Sequence, residues 1–170
     1  MRLLTLVTCV VVAGCSGQTL SPTSPSQAAP ASTSQEARKG GLPFKGSFAG
    51  QEVDTVSPPL LLVEGTAHGN ATHLGGYSAS FSISVTLDTG RSTGSMTLTA
   101  ANGDRLFTSV EGVGVPTSVP NVASITELAT VTGGTGRFAG TTGTFTIRRI
   151  LDQSTGVSSG SFEGAIDLRG

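Results

Sequence analysis

From Tyr77 to Asp88 the chain alternates without a break. Tyr77, Ala79, Phe81, Ile83, Val85 and Leu87 are apolar, while Ser78, Ser80, Ser82, Ser84, Thr86 and Asp88 between them are hydroxyl-bearing or acidic. A period of two sends the two sets to opposite faces, so the pattern predicts a β-strand with one buried and one solvated face. The same period recurs at Phe44-Gly46-Phe48, at Met96-Leu98-Ala100 and at Phe162-Gly164-Ile166-Leu168, and the apolar run Leu60 to Val63 predicts a more deeply buried strand. Asp88-Thr89-Gly90, Asn102-Gly103-Asp104, Gly133-Gly134 and Gln153-Ser154-Thr155-Gly156 supply residues that tolerate positive φ, as tight turns require, and Asn102-Gly103 is the strongest hairpin signal. About eight strands follow, near 44–50, 59–68, 73–87, 93–101, 104–114, 122–132, 143–151 and 157–168, with no convincing helical periodicity. That number and spacing predict an all-β domain, a closed antiparallel barrel, with a β-sandwich as the alternative; closure removes the edges at which strands aggregate. Gly46, Gly65, Gly112 and Gly164 fall inside the predicted strands, where sharp curvature or close backbone approach explains them.

The first forty residues follow another pattern. Met1 and Arg2 precede an apolar run, Leu3 to Ala13, with the length of a signal-peptide core and too short to span a bilayer. It ends in Val12-Ala13-Gly14-Cys15, which resembles the lipobox of bacterial lipoproteins, an aliphatic residue and two small ones before the cysteine that is lipidated after cleavage. The resemblance implies a signal peptide over residues 1–14, lipidation at Cys15, export, and anchoring to the membrane of the bacterial cell envelope. More than one acyl chain on Cys15 makes such anchoring stable. Ser16 to Gly40 is rich in Ser, Thr, Pro, Gln and Ala, with Leu20 its one large aliphatic residue. With nothing to bury, it is expected to be a flexible tether reaching roughly 25 to 30 Å. The barrel domain is then expected over residues 41–170. Because Cys9 leaves with the signal and Cys15 is acylated, no thiol remains for a disulfide, and packing alone must hold the fold.

Composition narrows the partners. The 170 residues carry 10 Lys+Arg against 11 Asp+Glu, a formal net charge of -1, without the basic excess that nucleic-acid binding requires. Only 12% of residues are charged, and Ser and Thr occupy the outward strand positions instead.

The most distinctive stretch is Gly133-Gly134-Thr135-Gly136-Arg137-Phe138-Ala139-Gly140-Thr141-Thr142-Gly143. It contains a nominal G-x-G-x-x-A, but dinucleotide binding needs a helix N-terminus next, and Thr144-Phe145-Thr146-Ile147 has the pattern of a strand. No Gly-Lys-Ser/Thr completes a P-loop either. The segment resembles the loop between two late strands in the allene oxide cyclase and dirigent barrels, in which Gly-Gly-Thr-Gly is followed by a basic and an aromatic residue, then Ala and Gly. Phe44 to Leu168 as a whole is similar to small exported bacterial proteins of that group, including Asn70-Ala71-Thr72-His73-Leu74-Gly75 and Ala100-Ala101-Asn102-Gly103-Asp104. The resemblance implies an eight-stranded calycin-like barrel with an apolar interior. In plant members it further implies a trimer that steers cyclisation or coupling of an apolar molecule. No catalytic residue of those enzymes aligns here, so the carry-over stops at the fold, with Gly133, Gly134, Thr135, Gly136, Arg137, Phe138, Gly140 and Gly143 as a structural loop.

Direct signs of chemistry are sparse. His68 and His73 are spaced for neither a helical metal pair nor a zinc pattern, and no Gly-x-Ser-x-Gly elbow occurs, so neither metal, cofactor nor catalytic serine is expected. Asn70-Ala71-Thr72 matches a glycosylation acceptor, a chance match in a bacterial-type lipoprotein. One constellation stands out. Glu127 shares a strand face with Ile125, Ala129 and Val131, and Arg149 shares one with Phe145, Ile147 and Leu151. Two readings are open: a buried pair anchoring a ligand in the cavity, with Tyr77 near it, or a rim ion pair or edge bulge that turns both charges to water. Two functions are correspondingly open, a non-catalytic envelope lipoprotein that binds a small apolar ligand or serves as an interaction module, and a cyclase-like enzyme acting inside the barrel.

Overall fold

The computed structural model describes residues 41–168. The expected signal peptide, Cys15 and the tether lie outside the described residues.

Eight strands follow one another: β1 (Leu42–Ser57), β2 (Leu60–Ala71), β3 (Gly75–Thr86), β4 (Arg91–Ala100), β5 (Arg105–Pro116), β6 (Val122–Gly134), β7 (Thr142–Asp152) and β8 (Val157–Asp167). Each pairs antiparallel with the next, and β8 pairs with β1 from Leu42↔Ile166 to Gln51↔Val157, so the sheet closes into a barrel and not a sandwich. Every strand of that closure lies within residues 42–167. A closed sheet leaves no unpaired edge, and alternate residues necessarily point into the lumen.

One end of the lumen is plugged. Phe44, Phe145 and Phe162 lie with ring centroids 5.0 to 5.1 Å apart, and Tyr77 meets Phe162 edge-on at 6.2 Å. The mid-strand glycines Gly46 and Gly164 face inward here. A Cβ on Gly46 would stand 2.7 Å from the tip of Phe162, and one on Gly164 would meet the Phe145 backbone. They act less as corners than as gaps that admit aromatic rings from the neighbouring strands. The β6–β7 loop closes this end. Its 3-10 turn, Gly136–Phe138, drives Phe138 to full burial, beside Leu74 from the β2–β3 turn. Thr135 holds the loop to β5: its N–H donates to the Arg105 carbonyl at 2.8 Å, and its Oγ1 accepts from the Arg105 N–H at 3.0 Å. Gly136 has φ +56, a left-handed backbone that favours glycine, and a Cβ there would meet only the end of the Asp104 side chain. Arg137 sits half-exposed, 3.8 Å from Asp104.

Two strand expectations need correction. The Leu60–Val63 run is not buried on both faces: Leu62 points outward and is exposed, while Val63 points in, because β2 forms part of a single-layered wall. And β1 does not end near residue 50 but runs to Ser57, pairing with β2 as far as Ser57↔Leu60. This extension helps build the open end.

Candidate functional site

At the end opposite the plug the lumen opens into a mouth ringed by the β1–β2, β3–β4, β5–β6 and β7–β8 turns. It encloses a cavity of about 470 Å³ with inward apolar walls that include Leu61, Val63, Val85, Ala123, Ile125 and Leu151. Beneath it, toward the aromatic plug, lies a pocket of about 30 Å³ lined by Phe48, Phe81, Met96, Leu98 and Phe162. Glu127 and Arg149 line both spaces and form the floor between them.

The strand register explains how the floor assembles. Arg149 of β7 sits opposite Ile125 of β6, and Glu127 sits opposite Ile147, so Glu127 and Arg149 are diagonal neighbours on the inner face. Arg149 Nε donates to Glu127 Oε2 at 3.2 Å. The other arm of the guanidinium crosses the inner face of β8 to β1, where Nη1 donates to Glu52 Oε2 at 2.6 Å. That crossing is possible because Gly160 of β8 lies opposite Arg149; a Cβ on Gly160 would stand 2.8 Å from the arginine Cα and Cβ. Phe81 of β3 covers the guanidinium at 5.9 Å from ring centroid to Cζ, in space left by inward Gly65. Side-chain exposures of 2% for Glu52, 3% for Glu127 and 8% for Arg149 make this a buried triad. The rim or bulge arrangement of the pair is therefore corrected: the alternation continues unbroken through both residues, and no register shift falls in the β6–β7 ladder.

The triad holds two carboxylates against one guanidinium. Burial pushes the Glu52 carboxyl above its ordinary range; Arg149 pulls it back, and the neighbouring Asp54 and Glu127 add to the rise. Burial likewise raises Asp54, against the pull of Arg149. For Arg149 burial disfavours the charge, but the attraction of Glu127 and Glu52 together outweighs it and keeps the guanidinium charged. Glu127 Oε1 is buried and has no hydrogen-bond partner among the described residues, and the same holds for Ser92 Oγ, another residue lining the mouth.

Tyr77 lines the small lower pocket with the pair, yet its hydroxyl donates to the Ser47 carbonyl at 3.4 Å and not to either charge. Burial pushes it up to about 12. The loop residues Gly133 to Gly143 lie at the plugged end, away from the mouth. His68 is exposed on β2 and His73 holds φ 63 in the β2–β3 turn. No group of His, Cys, Asp or Glu among the described residues is arranged to hold a metal ion.

Glu52 and Asp54 escape a search for charges on apolar strand faces, because the chain around them, Gln51 to Ser57, carries no apolar alternation of the inward kind. One signal was available: counting by two from Phe44 and Phe48 reaches Glu52 and Asp54. No protein-family model matches the chain, and no curated protein and no solved structure matches it.

Proposed function

We propose that the chain is an exported, lipid-anchored protein of the bacterial cell envelope whose barrel binds a small, largely apolar molecule in its mouth without transforming it. The observation that carries this reading is the mouth itself: about 470 Å³ of space walled on one side by Leu61, Val63, Val85, Ala123, Ile125 and Leu151, with Glu52, Asp54, Glu127 and Arg149 among its polar contacts. That volume is within the range of small-molecule pockets, and such pockets combine apolar walls with a small number of orienting polar groups. The lipobox-like Val12-Ala13-Gly14-Cys15 supports the anchoring, and the resemblance of residues 133–143 to the allene oxide cyclase and dirigent loops supports a barrel with an apolar interior, and no particular activity.

Native mass spectrometry of the chain from Gly41, which contains every strand of the barrel, tests the reading after incubation with total bacterial lipid extract. A discrete adduct that organic solvent releases unchanged is expected. Ala123→Phe, which fills the mouth, should abolish it while the protein still unfolds cooperatively. A protein that stays free of adducts would overturn the proposal. A cyclase-like enzyme is the second reading, favoured by a carboxyl raised above its ordinary range beside a guanidinium, an arrangement suited to proton transfer. Release of a molecule isomeric with the one supplied, but different in structure, would support it over simple binding.

A further inference from the structure

We infer that the molecule held in the mouth presents a hydrogen-bond-accepting oxygen, of a carbonyl or carboxyl group, to the donors that Arg149 does not spend on the triad. The inference rests on the reading of the mouth as a binding site and adds the class of ligand.

A guanidinium carries five N–H donors, one on Nε and two on each terminal nitrogen. Arg149 gives its Nε hydrogen to Glu127 Oε2 and one Nη1 hydrogen to Glu52 Oε2, and no other described residue accepts from it. Three donors stay unspent, two of them on Nη2. The wholly enclosed side-chain atoms without a partner among the described residues are Ser92 Oγ, Glu127 Oε1 and Thr141 Oγ1. Nη2 is not one of these, so it keeps surface that another atom can reach. The side chain lies inside the barrel, 8% exposed, and lines both the mouth and the small pocket beneath it, so that surface belongs to the lumen.

The donor is also held in place. Carboxylates on two strands, β6 and β1, pin two of the guanidinium nitrogens, and Phe81 covers the group with its ring centroid 5.9 Å from Cζ. A ligand that meets a donor already fixed loses no affinity to ordering it. Buried polar groups rarely go without partners, and the unspent hydrogens can only donate, so the group that completes them must accept. An oxygen with lone pairs and no proton of its own does so. A carbonyl adds no charge beside Glu52, Asp54 and Glu127, while a carboxylate gains a charge-assisted bond against the added repulsion. Both share one requirement, an acceptor at the inner end of an apolar body that lies along Leu61, Val85, Ala123 and Leu151.

NMR of the chain from Gly41, labelled with ¹⁵N in its arginine side chains, tests the inference with 2-octanone, octanoate and 1-octene as probes. The three bring similar apolar bodies, and only the first two bring an acceptor. Binding of 2-octanone or octanoate is expected to move the Nη resonances of Arg149, while 1-octene leaves them in place; the tighter binder of the two tells a neutral carbonyl from a carboxylate. The combined replacement Glu52→Met, Arg149→Met and Glu127→Met leaves neither charge nor donor in the floor. In it the ratio of the affinities for 2-octanone and 1-octene, from calorimetry, should fall on the order of tenfold, as for loss of a hydrogen bond to a charged group. Binding of the acceptors that leaves the Arg149 resonances unmoved, or equal shifts with 1-octene, would overturn the acceptor seat while leaving the mouth a binding site. Binding of none of the three would overturn the seat together with the reading beneath it. Water alone on Nη2 predicts the same response to all three probes, and counts against the inference in the same way.

Discussion

Arg149→Met is expected to destabilise the barrel by about 3–5 kcal/mol at neutral pH, the usual cost of removing one partner from a buried charge cluster. The substitution keeps much of the side-chain volume, so the loss comes from electrostatics: Glu52 and Glu127 are left buried without their shared cation. Its pH dependence separates this cause from a packing defect. Burial, against the pull of Arg149, holds the Glu52 carboxyl above its ordinary 4.5. An acid whose pKa is raised by folding binds its proton more tightly in the folded state. Its contribution to stability is therefore fully present below the ordinary value and is lost as pH rises through the raised one. Removing the guanidinium takes away the charge that restrains this rise. The difference in unfolding free energy between wild type and Arg149→Met, from urea denaturation, should accordingly be much smaller near about pH 4 than near about pH 7. The combined replacement Glu52→Gln, Arg149→Met and Glu127→Gln should regain a large part of the loss, since it leaves no charge unpaired. A loss independent of pH, or one below about 1 kcal/mol at neutral pH, would contradict a buried triad.

Phe162→Ala is expected to cost a similar amount, about 3–5 kcal/mol, for an unrelated reason. The ring stands at the centre of the plug, within 5.0 Å of Phe44, 5.1 Å of Phe145 and 6.2 Å of Tyr77 between centroids. Its neighbours belong to different strands of a closed sheet, so the wall cannot collapse inward to fill the space without breaking ladder hydrogen bonds. The full transfer and cavity costs are then felt. Ile150→Ala, on the outer face where the side chain is 48% exposed, should change stability by no more than about 0.5 kcal/mol. Equal, small effects from the two substitutions in the same denaturation assay would show that the aromatic plug does not hold the barrel together.

The alternation of residues 77–88 and the turn residues were enough to read eight strands and closure, because period two and glycine-bearing turns are local signals. The end of β1 was not legible for the same reason. Between Gln51 and Ser57 the outward position Val53 is apolar and 69% exposed, while the inward positions Glu52 and Asp54 are acidic, so the usual relation of polarity to face is reversed. What justifies the reversal is a distant partner, Arg149, which reaches β1 only across Gly160; no pattern within β1 records that contact. Glu127 and Arg149 were legible as inward charges from their own strands. Their burial was not, because it depends on the bare inner positions at Gly65, Gly112 and Gly160, which make room for Phe81, Glu127 and Arg149. In sequence Gly65 and Gly112 looked like points of curvature, and Gly160 carried no signal. In the barrel they shape the layer of side chains that divides plug from mouth.

Chemical-shift mapping by NMR during titration with 1-octanol distinguishes a filled end of the barrel from a receptive one. Shifts are expected at Leu61, Val85, Ala123 and Leu151 around the mouth, with Phe44, Leu106, Phe138 and Ile166 in the plug unchanged. Shifts gathered at the plugged end, or on outward residues such as Val53, Ile150 and Val157, would contradict it.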